Sequence, residues 1–261
     1  MQSLNIAATG MAAQALNVEV ISHNISNMNT TGYKRQRAEF QDLLYQDQRR
    51  VGTNSSDAGT TVPSGIQLGV GVKTAATYRI NEQGSLISTG NEFDIAIRGE
   101  GFLQIDLPNG TTGYSRAGSL QLDQNGTLVT PDGYQVQPGI SIPADAISVT
   151  INESGQVFAQ IDGQINETNV GQLQLATFQN VAGLNAIGQN LLLETVASGA
   201  ANTGVPGGIG FGSIQQGFVE SSNVDPVQEI TNLITAQRAY ELNSKVIETS
   251  DQMMSTINNV R

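Results

Sequence analysis

His23 is the only histidine in the chain, and that limits the chemistry open to it. No second imidazole is present to share a metal, and a Ser–His relay would have to be built around this one ring, which stands beside Asn24 in an amphipathic segment. A polar residue near a helix end is the plainer reading. There is no cysteine, so disulfides, thiolate zinc sites and Cys nucleophiles are excluded. Glu100, Glu153, Asp94 and Asp106 could supply an acid and a base, but any two acids could, and nothing in their spacing selects them. Gly69-Val70-Gly71-Val72-Lys73-Thr74 has the glycines of a phosphate loop, yet Val72 stands where that loop needs Gly before Lys, and no helical pattern follows. Gly207-Gly208-Ile209-Gly210 opens no helix either, so a dinucleotide fingerprint fails. Asp123-Gln124-Asn125-Gly126 begins as a calcium loop does, but its glycine arrives too early, and it reads as a hairpin turn. The residues point to no catalytic, metal or cofactor site.

Charge narrows the partners. A formal charge of −11 repels phosphate backbones and anionic headgroups, which argues against nucleic acid and membrane surfaces. Five of the 12 basic residues (Lys34, Arg35, Arg37, Arg49, Arg50) crowd into one stretch. Glu39, Asp42 and Asp47 are interleaved with them, and the stretch reads as a solvated, self-paired helix, with an electropositive docking patch as the alternative. No window approaches the roughly 18 apolar residues of a membrane span. The first basic residue is Lys34, so the start lacks the basic region of a secretory signal.

The elements that must position any site differ between the ends and the middle. Residues 3–28 contain no proline and one glycine, Gly10. Leu4, Ala8, Met11, Ala15, Val18 and Ile25 recur at steps of three and four, with Ser22 the polar member, as on the seam of a coiled coil. Ile6, Ala13, Val20 and Ile21 lie off that seam, so more than one face asks for burial. A second helix is expected from Asp225-Pro226, where proline in the first turn loses no hydrogen bond. Ile230, Leu233, Tyr240, Ile247 and Met254 form one of its rows, and Ala239, Leu242, Val246, Met253 and Val260 a second. Pairing the two helices uses one face of each. The remaining faces suit lateral packing between copies, with a plain helical hairpin as the alternative.

Between the helices, residues 66–220 read as β. Ile95–Ile97, Phe102–Ile105 and Leu120–Leu122 are short β-prone runs. Turn signals separate such runs: Pro108-Asn109-Gly110, Gln124-Asn125-Gly126, Pro131-Asp132-Gly133 and Glu153-Ser154-Gly155. Residues 51–65 and 197–212 are glycine-rich and read as loops. The expected fold is α+β: long terminal helices forming a coiled-coil-like inner domain, and an antiparallel β-rich outer one.

The most specific stretch runs His23-Asn24-Ile25-Ser26-Asn27-Met28-Asn29-Thr30-Thr31-Gly32-Tyr33-Lys34-Arg35. Asn and Thr side chains bond nearby backbone in competition with a helix, and Gly32 is expected to stop it, so the stretch reads as a helix end and a shaped turn. This closely resembles the signature of the flagellar rod and hook proteins. Gly99-Glu100-Gly101-Phe102, Tyr114-Ser115-Arg116-Ala117-Gly118-Ser119 and Glu220-Ser221-Ser222-Asn223-Val224-Asp225 resemble further motifs of that family. Within it, the run Ala236 to Lys245 is similar to the distal-rod members more than to the proximal-rod ones. The segment after Leu43-Leu44-Tyr45-Gln46, through Val62-Pro63-Ser64-Gly65, resembles an insertion that sets distal-rod members apart from hook subunits.

The resemblance implies a structural subunit rather than an enzyme. It implies export through the growing tube without a cleaved signal, then helical polymerisation at its tip, with residues 1–32 and 225–261 folding on assembly around the export channel. Residues 76–179 would form the outer domain, and 33–75 with 180–224 a connecting region. Implied partners are further copies, proximal rod and hook proteins, the periplasmic and outer-membrane ring bushings, and the export apparatus. The implied helix-end signature is Asn24, Asn27, Asn29, Thr30, Thr31, Gly32, Tyr33 and Lys34. Implied polymer contacts are Leu4, Met11, Ala15, Val18 and Ile25 at one end, and Ile230, Leu233, Tyr240, Leu242, Val246, Ile247, Met253 and Met254 at the other. An insertion at about 46–65, including Gln46, Arg49, Arg50, Val62 and Pro63, would stiffen the tube. The alternatives are a proximal rod or hook subunit, or a cell-wall-acting enzyme.

Overall fold

A computed structural model of the chain describes residues 2–49, 64–164 and 166–259. The proline-free start forms α1, Gln2–Ser26, and Pro226 opens α2, Pro226–Asn259. Between them the chain is almost wholly extended, in short strands joined by turns. Contacts divide it into two units: one of Met1–Ile25, Gln36–Tyr78 and Pro226–Arg261, the other of Ser26–Arg35 and Arg79–Asp225.

In the first unit α1 and α2 run antiparallel. Asn24 meets Glu229, and fourteen residues earlier Gly10 meets Asn243, fourteen residues later. A glycine inside a helix costs about 1 kcal/mol relative to alanine. Here the close approach needs it, because a Cβ on Gly10 would lie 2.9 Å from Asn243 Nδ2. The deeply buried residues of α1 are Ala7, Ala13, Val20, Ile21 and Asn24. Leu4, Met11, Ala15, Val18 and Ile25, on the expected seam, are half-buried. On α2 the covered stripe runs through Glu229, Leu233, Ala236, Ala239, Asn243, Ile247 and Ser250, at steps of three and four, as one helix face requires.

The basic stretch after Arg35 is not the self-paired helix its charges suggested. Gln36–Asp42 and Tyr45–Arg49 are strands. The reason is a period of two: Gln36, Ala38 and Phe40 turn inward while Arg37, Glu39 and Gln41 face water. Gln36–Asp42 pairs with Val72–Arg79, and Tyr45–Arg49 with Ile66–Gly69. The β region therefore starts earlier than residue 66.

In the second unit Phe102–Asp106 is central, buried along Phe102 to Ile105. It pairs with Thr112–Ser115 on one side, and with Leu175–Thr177 and Gln135–Val136 on the other. Three of the expected turns close hairpins within this sheet, at Gly110, Gly126 and Gly133, each with positive φ and a short backbone hydrogen bond. The fourth, at Gly155, joins Ala146–Ile151 to Gln156–Ile161, which also pairs with Thr168–Gln172. Ile95, Ile97, Leu103, Leu120, Leu173 and Leu175 head the core. A second cluster gathers Phe102, Tyr114 and Phe178, with Tyr114 and Phe178 edge to face at 4.7 Å. One expected loop is only partly one: Asn202–Gly204, within residues 197–212, pairs with Leu175–Thr177, so glycine content there hid a short strand.

Candidate functional site

The signature after His23 resolves into two polar clusters. In the first, Asn24 is buried on the last turn of α1. Its Nδ2 donates to the Gln36 carbonyl at 2.8 Å, and its Oδ1 accepts from the Gln36 N–H at 2.8 Å. The side chain amide thus serves the next strand as a backbone partner would. Its Nδ2 also reaches Glu229 Oε2 on α2, at 3.4 Å.

Gly32 does not stop the helix as its position suggested, since α1 ends at Ser26. Residues 27–32 form turns, held by Thr30 N–H to the Asn27 carbonyl at 3.1 Å and Thr30 Oγ1 to Asn27 Oδ1 at 3.2 Å. Gly32 is required for a different reason. Its φ is 69°, and a Cβ would lie 2.7 Å from the Ala117 nitrogen. Its N–H donates to the Glu220 carbonyl at 2.8 Å, and Thr31 O accepts from Asn190 Nδ2 at 3.0 Å. Tyr33 is buried and Asn29 exposed.

The second cluster is built on Glu220, whose side chain has no exposed surface. Lys34 Nζ donates to its Oε1 at 2.5 Å and to the Glu82 carbonyl at 2.7 Å. Arg116 Nε donates to its Oε2 at 2.8 Å. The rest of the guanidinium donates to the carbonyls of Gly101, Ile97 and Gly99. Gly99 and Gly101 both take positive φ there, at 102° and 141°. Gly84 N–H completes the carboxylate at 2.9 Å. Two cations share one anion, and the excess charge falls on four backbone carbonyls. Burial alone would raise the Glu220 carboxyl, but Arg116 and Lys34 more than offset it and hold it below the usual carboxylate range. Burial pushes the Lys34 ammonium down from the ordinary lysine value, against the pull of Glu220.

Around this knot, Arg35 N–H donates to Asn223 Oδ1 at 2.8 Å, and Asn223 Nδ2 donates to the carbonyls of Ile80 and Glu82. Residues 33–35, 80–84, 97–101, 116 and 220–223 are thereby stitched together. Removing one member of such a buried pair costs about 3–5 kcal/mol, because the survivor stays charged in a dry site. The arrangement is architectural. With no solvent access, Glu220 has no route to a substrate.

The sequence assigned Lys34 to a turn and left Arg116 and Glu220 as parts of motifs. Glu220 lies 186 residues from Lys34 and 104 from Arg116, and only the fold brings them together. The available signal was an acid closing the apolar run Phe218-Val219 in a strand, where an unpaired charge is costly.

The other expected residues scatter. His23 is exposed near the end of α1. Asp94 is buried and accepts from Thr89 Oγ1 and Asn91 Nδ2, while Glu100, Asp106 and Glu153 are exposed in separate loops and strand ends. The strands Ile66–Gly69 and Val72–Arg79 flank Gly71, and Ser213–Gln216 follows Gly210, so neither glycine run opens a helix. Gln46 and Arg49 are exposed in their strand, and Arg50, Val62 and Pro63 lie outside the described residues. On α2, Ile230, Tyr240, Leu242, Val246, Met253 and Met254 are exposed, and Leu233 and Ile247 half-buried. Among the described residues no group of His, Asp and Glu could hold a metal, and no helix is long and apolar enough to cross a membrane.

Known proteins carry the same segments. A family described as "Flagella basal body rod protein" matches residues 4–34, which take in α1 and the signature turn. A "Flagellar hook protein FlgE/F/G D1 domain" matches 96–159, and a "Flagellar basal body rod FlgEFG protein C-terminal" region matches 215–260. The chain is 58% identical over 261 residues to the flagellar basal-body rod protein FlgG of Caulobacter vibrioides, covering all of both chains. It is 53% identical over 257 residues to the FlgG of Agrobacterium fabrum, covering 98% of each. It is 33% identical to the flagellar hook-basal body complex protein FlhP of Bacillus subtilis, again over the full length of both. Lys34, Arg116 and Glu220 fall one in each of the three matched regions, and on likeness that runs from end to end the chain belongs to the flagellar basal-body rod protein family.

Proposed function

We propose that this chain is a structural subunit of the distal rod, polymerising helically into a stiff tube that transmits torque and encloses the export channel. The observation that carries the reading is the overhang of α2. Its contacts with α1 place Gln2 opposite Asp251, since residues 24 and 229, and 10 and 243, sum to the same value. Among the described residues none of α1 lies opposite those beyond Asp251, and Gln252 through Ile257 are all exposed, Met253, Met254 and Ile257 among them. At about 1.5 Å per residue the overhang is roughly 12 Å of helix. An apolar helix end held in water suits a site that a second copy covers.

In this reading α1 and α2 line the channel, and the β-rich unit forms the wall toward the ring bushings. Proximal rod and hook subunits meet the two ends of the tube, and the export apparatus delivers the chains. The ribbon of Tyr45–Arg49 and Ile66–Gly69 leaves Tyr45, Ile66 and Leu68 exposed, and a two-stranded ribbon is marginal on its own. Packing on a neighbour would stabilise it and stiffen the polymer. Deleting residues 46–65 is expected to give curved or flexible tubes.

The test is electron microscopy of the purified chain as its concentration is raised slowly, beside a version lacking residues 1–32. Straight tubes from the full chain and none from the truncation are expected. Full-length protein that stays monomeric at every concentration, even when seeded with isolated rods, would refute the reading.

A further inference from the structure

The β-rich unit carries an apolar projection at one end of a strand and an apolar depression at the other. The projection is Ile209, fully exposed, with Val205 half as exposed beside it. Its loop is well braced. Gly207 N–H donates to the Gly212 carbonyl at 2.9 Å, Gly208 to Val205 at 3.1 Å, Phe211 to Gly208 at 3.0 Å, and Gly212 to Glu100 at 2.7 Å. Phe211 packs on the main core, and a Cβ on Gly204 would lie 2.4 Å from its ring. Gly207 and Gly210 take positive φ, so the turn keeps its shape and holds the isoleucine away from the body. A side chain presented this way has paid its ordering cost before meeting a partner.

The depression holds about 330 Å³ and is lined by Phe93, Leu122, Pro143, Ala146, Ile147 and Val149, with Glu92, Asp123, Gln124 and Ser148 also in its wall. Leu122 and Ile147 are themselves exposed. A cavity of about 150 Å³ lined by such side chains accepts a benzene, so an isoleucine side chain fits.

The two features lie at opposite ends of Ala146–Ile151. Ala146 lines the depression, whereas the turn after this strand touches the projecting loop, Gly155 lying against Pro206. The strand Ser213–Gln216 runs beside the half of this interval nearer the turn. Ile214 N–H donates to the Glu153 carbonyl, and Gln216 Nε2 donates to the carbonyls of Glu92 and Val149. Six residues of strand from Ala146 to Ile151 span roughly 17 Å, and the turn at 152–155 lies beyond them. The projection therefore cannot fill the depression of its own chain.

Resting on the subunit reading above, we infer that Ile209 of one copy seats in the depression at Ala146 of the next, a head-to-tail contact through the β-rich unit. Two different surfaces at opposite ends of one body make a heterologous contact, the kind that propagates as an open helix rather than closing as a dimer.

The chain has no cysteine, so paired substitutions give an unambiguous cross-link. The variant Ile209→Cys/Ala146→Cys, assembled into tubes and oxidised, should give a ladder of disulfide-linked multimers, and neither single variant should. Because Ile209 is fully exposed, Ile209→Asp should leave monomer melting unchanged and raise the concentration needed for tubes about tenfold or more. Normal tubes with no ladder and an unaltered threshold for Ile209→Asp would overturn this contact and leave the subunit reading standing. Wild-type protein that forms no tubes under any condition would overturn both.

Discussion

Around Glu220 every charged group is buried and bonded, while along the far half of α2 apolar side chains stand in water. Each reverses the usual preference of its residues. The first is settled inside one chain: Lys34, Arg116, Gly84 and four carbonyls satisfy the charges, so this cluster needs no partner. The second has no such resolution within the chain. The difference separates a body built to be rigid from a surface left to be covered, which is what a polymer subunit needs.

The sharpest way to break the comparison is Glu220→Ala. It strands two cations in a dry site and should cost about 3–5 kcal/mol in calorimetric unfolding of the β-rich unit. A loss under about 1 kcal/mol would mean water already reaches the cluster. Acid should remove the same contribution without a mutation. The Glu220 carboxyl is held below the usual range in the fold, so its stabilisation is whole above about pH 4.3 and is lost as pH falls through its folded-state value. Melting temperature followed from pH 6 to pH 2 should fall more steeply for the wild type than for Glu220→Gln, and parallel curves would remove Glu220 from the account.

A smaller effect is expected at Asn24→Ala, which removes the partner of the part-buried N–H and carbonyl of Gln36 and should cost about 1–3 kcal/mol. Protected amide exchange at Gln36 in the variant would contradict that. The smallest effect on the monomer belongs to Leu242→Asp, on the exposed face of α2. Monomer stability should move by no more than about 0.5 kcal/mol, while tube formation is lost. If the monomer melts much earlier instead, Leu242 is covered within the chain, and the contrast with Glu220 disappears.

Much of the fold was legible in the residues. The terminal helices followed from a proline-free start, apolar steps of three and four, and Pro226 at the first turn of α2. The hairpins followed from Asn-Gly and Asp-Gly pairs, because glycine takes positive φ at little cost. Where sequence reasoning went wrong, a competing local signal was present. Charge interleaving after Lys34 suggested a helix, but alternation at Gln36, Ala38 and Phe40 carried the strand.

The sequence by itself therefore determined the two terminal helices, the start of α2, the hairpin turns, and the absence of any thiol or second histidine. It determined the likeness to rod proteins as well, since the motifs near Lys34, Arg116 and Glu220 are local. The tertiary structure alone decided that these three residues share one cluster, that Gly32 is needed for its approach to Ala117 rather than to end α1, and that Pro206, in the loop of Ile209, meets the turn that follows the strand starting at Ala146. The reason is physical. Backbone propensity and hydrophobic period act over a few residues and can be read along the chain. Burial, charge pairing and close backbone approach depend on residues separated by 186 positions, as Lys34 and Glu220 are, or 205, as Asn24 and Glu229 are, and they exist only once the chain has folded.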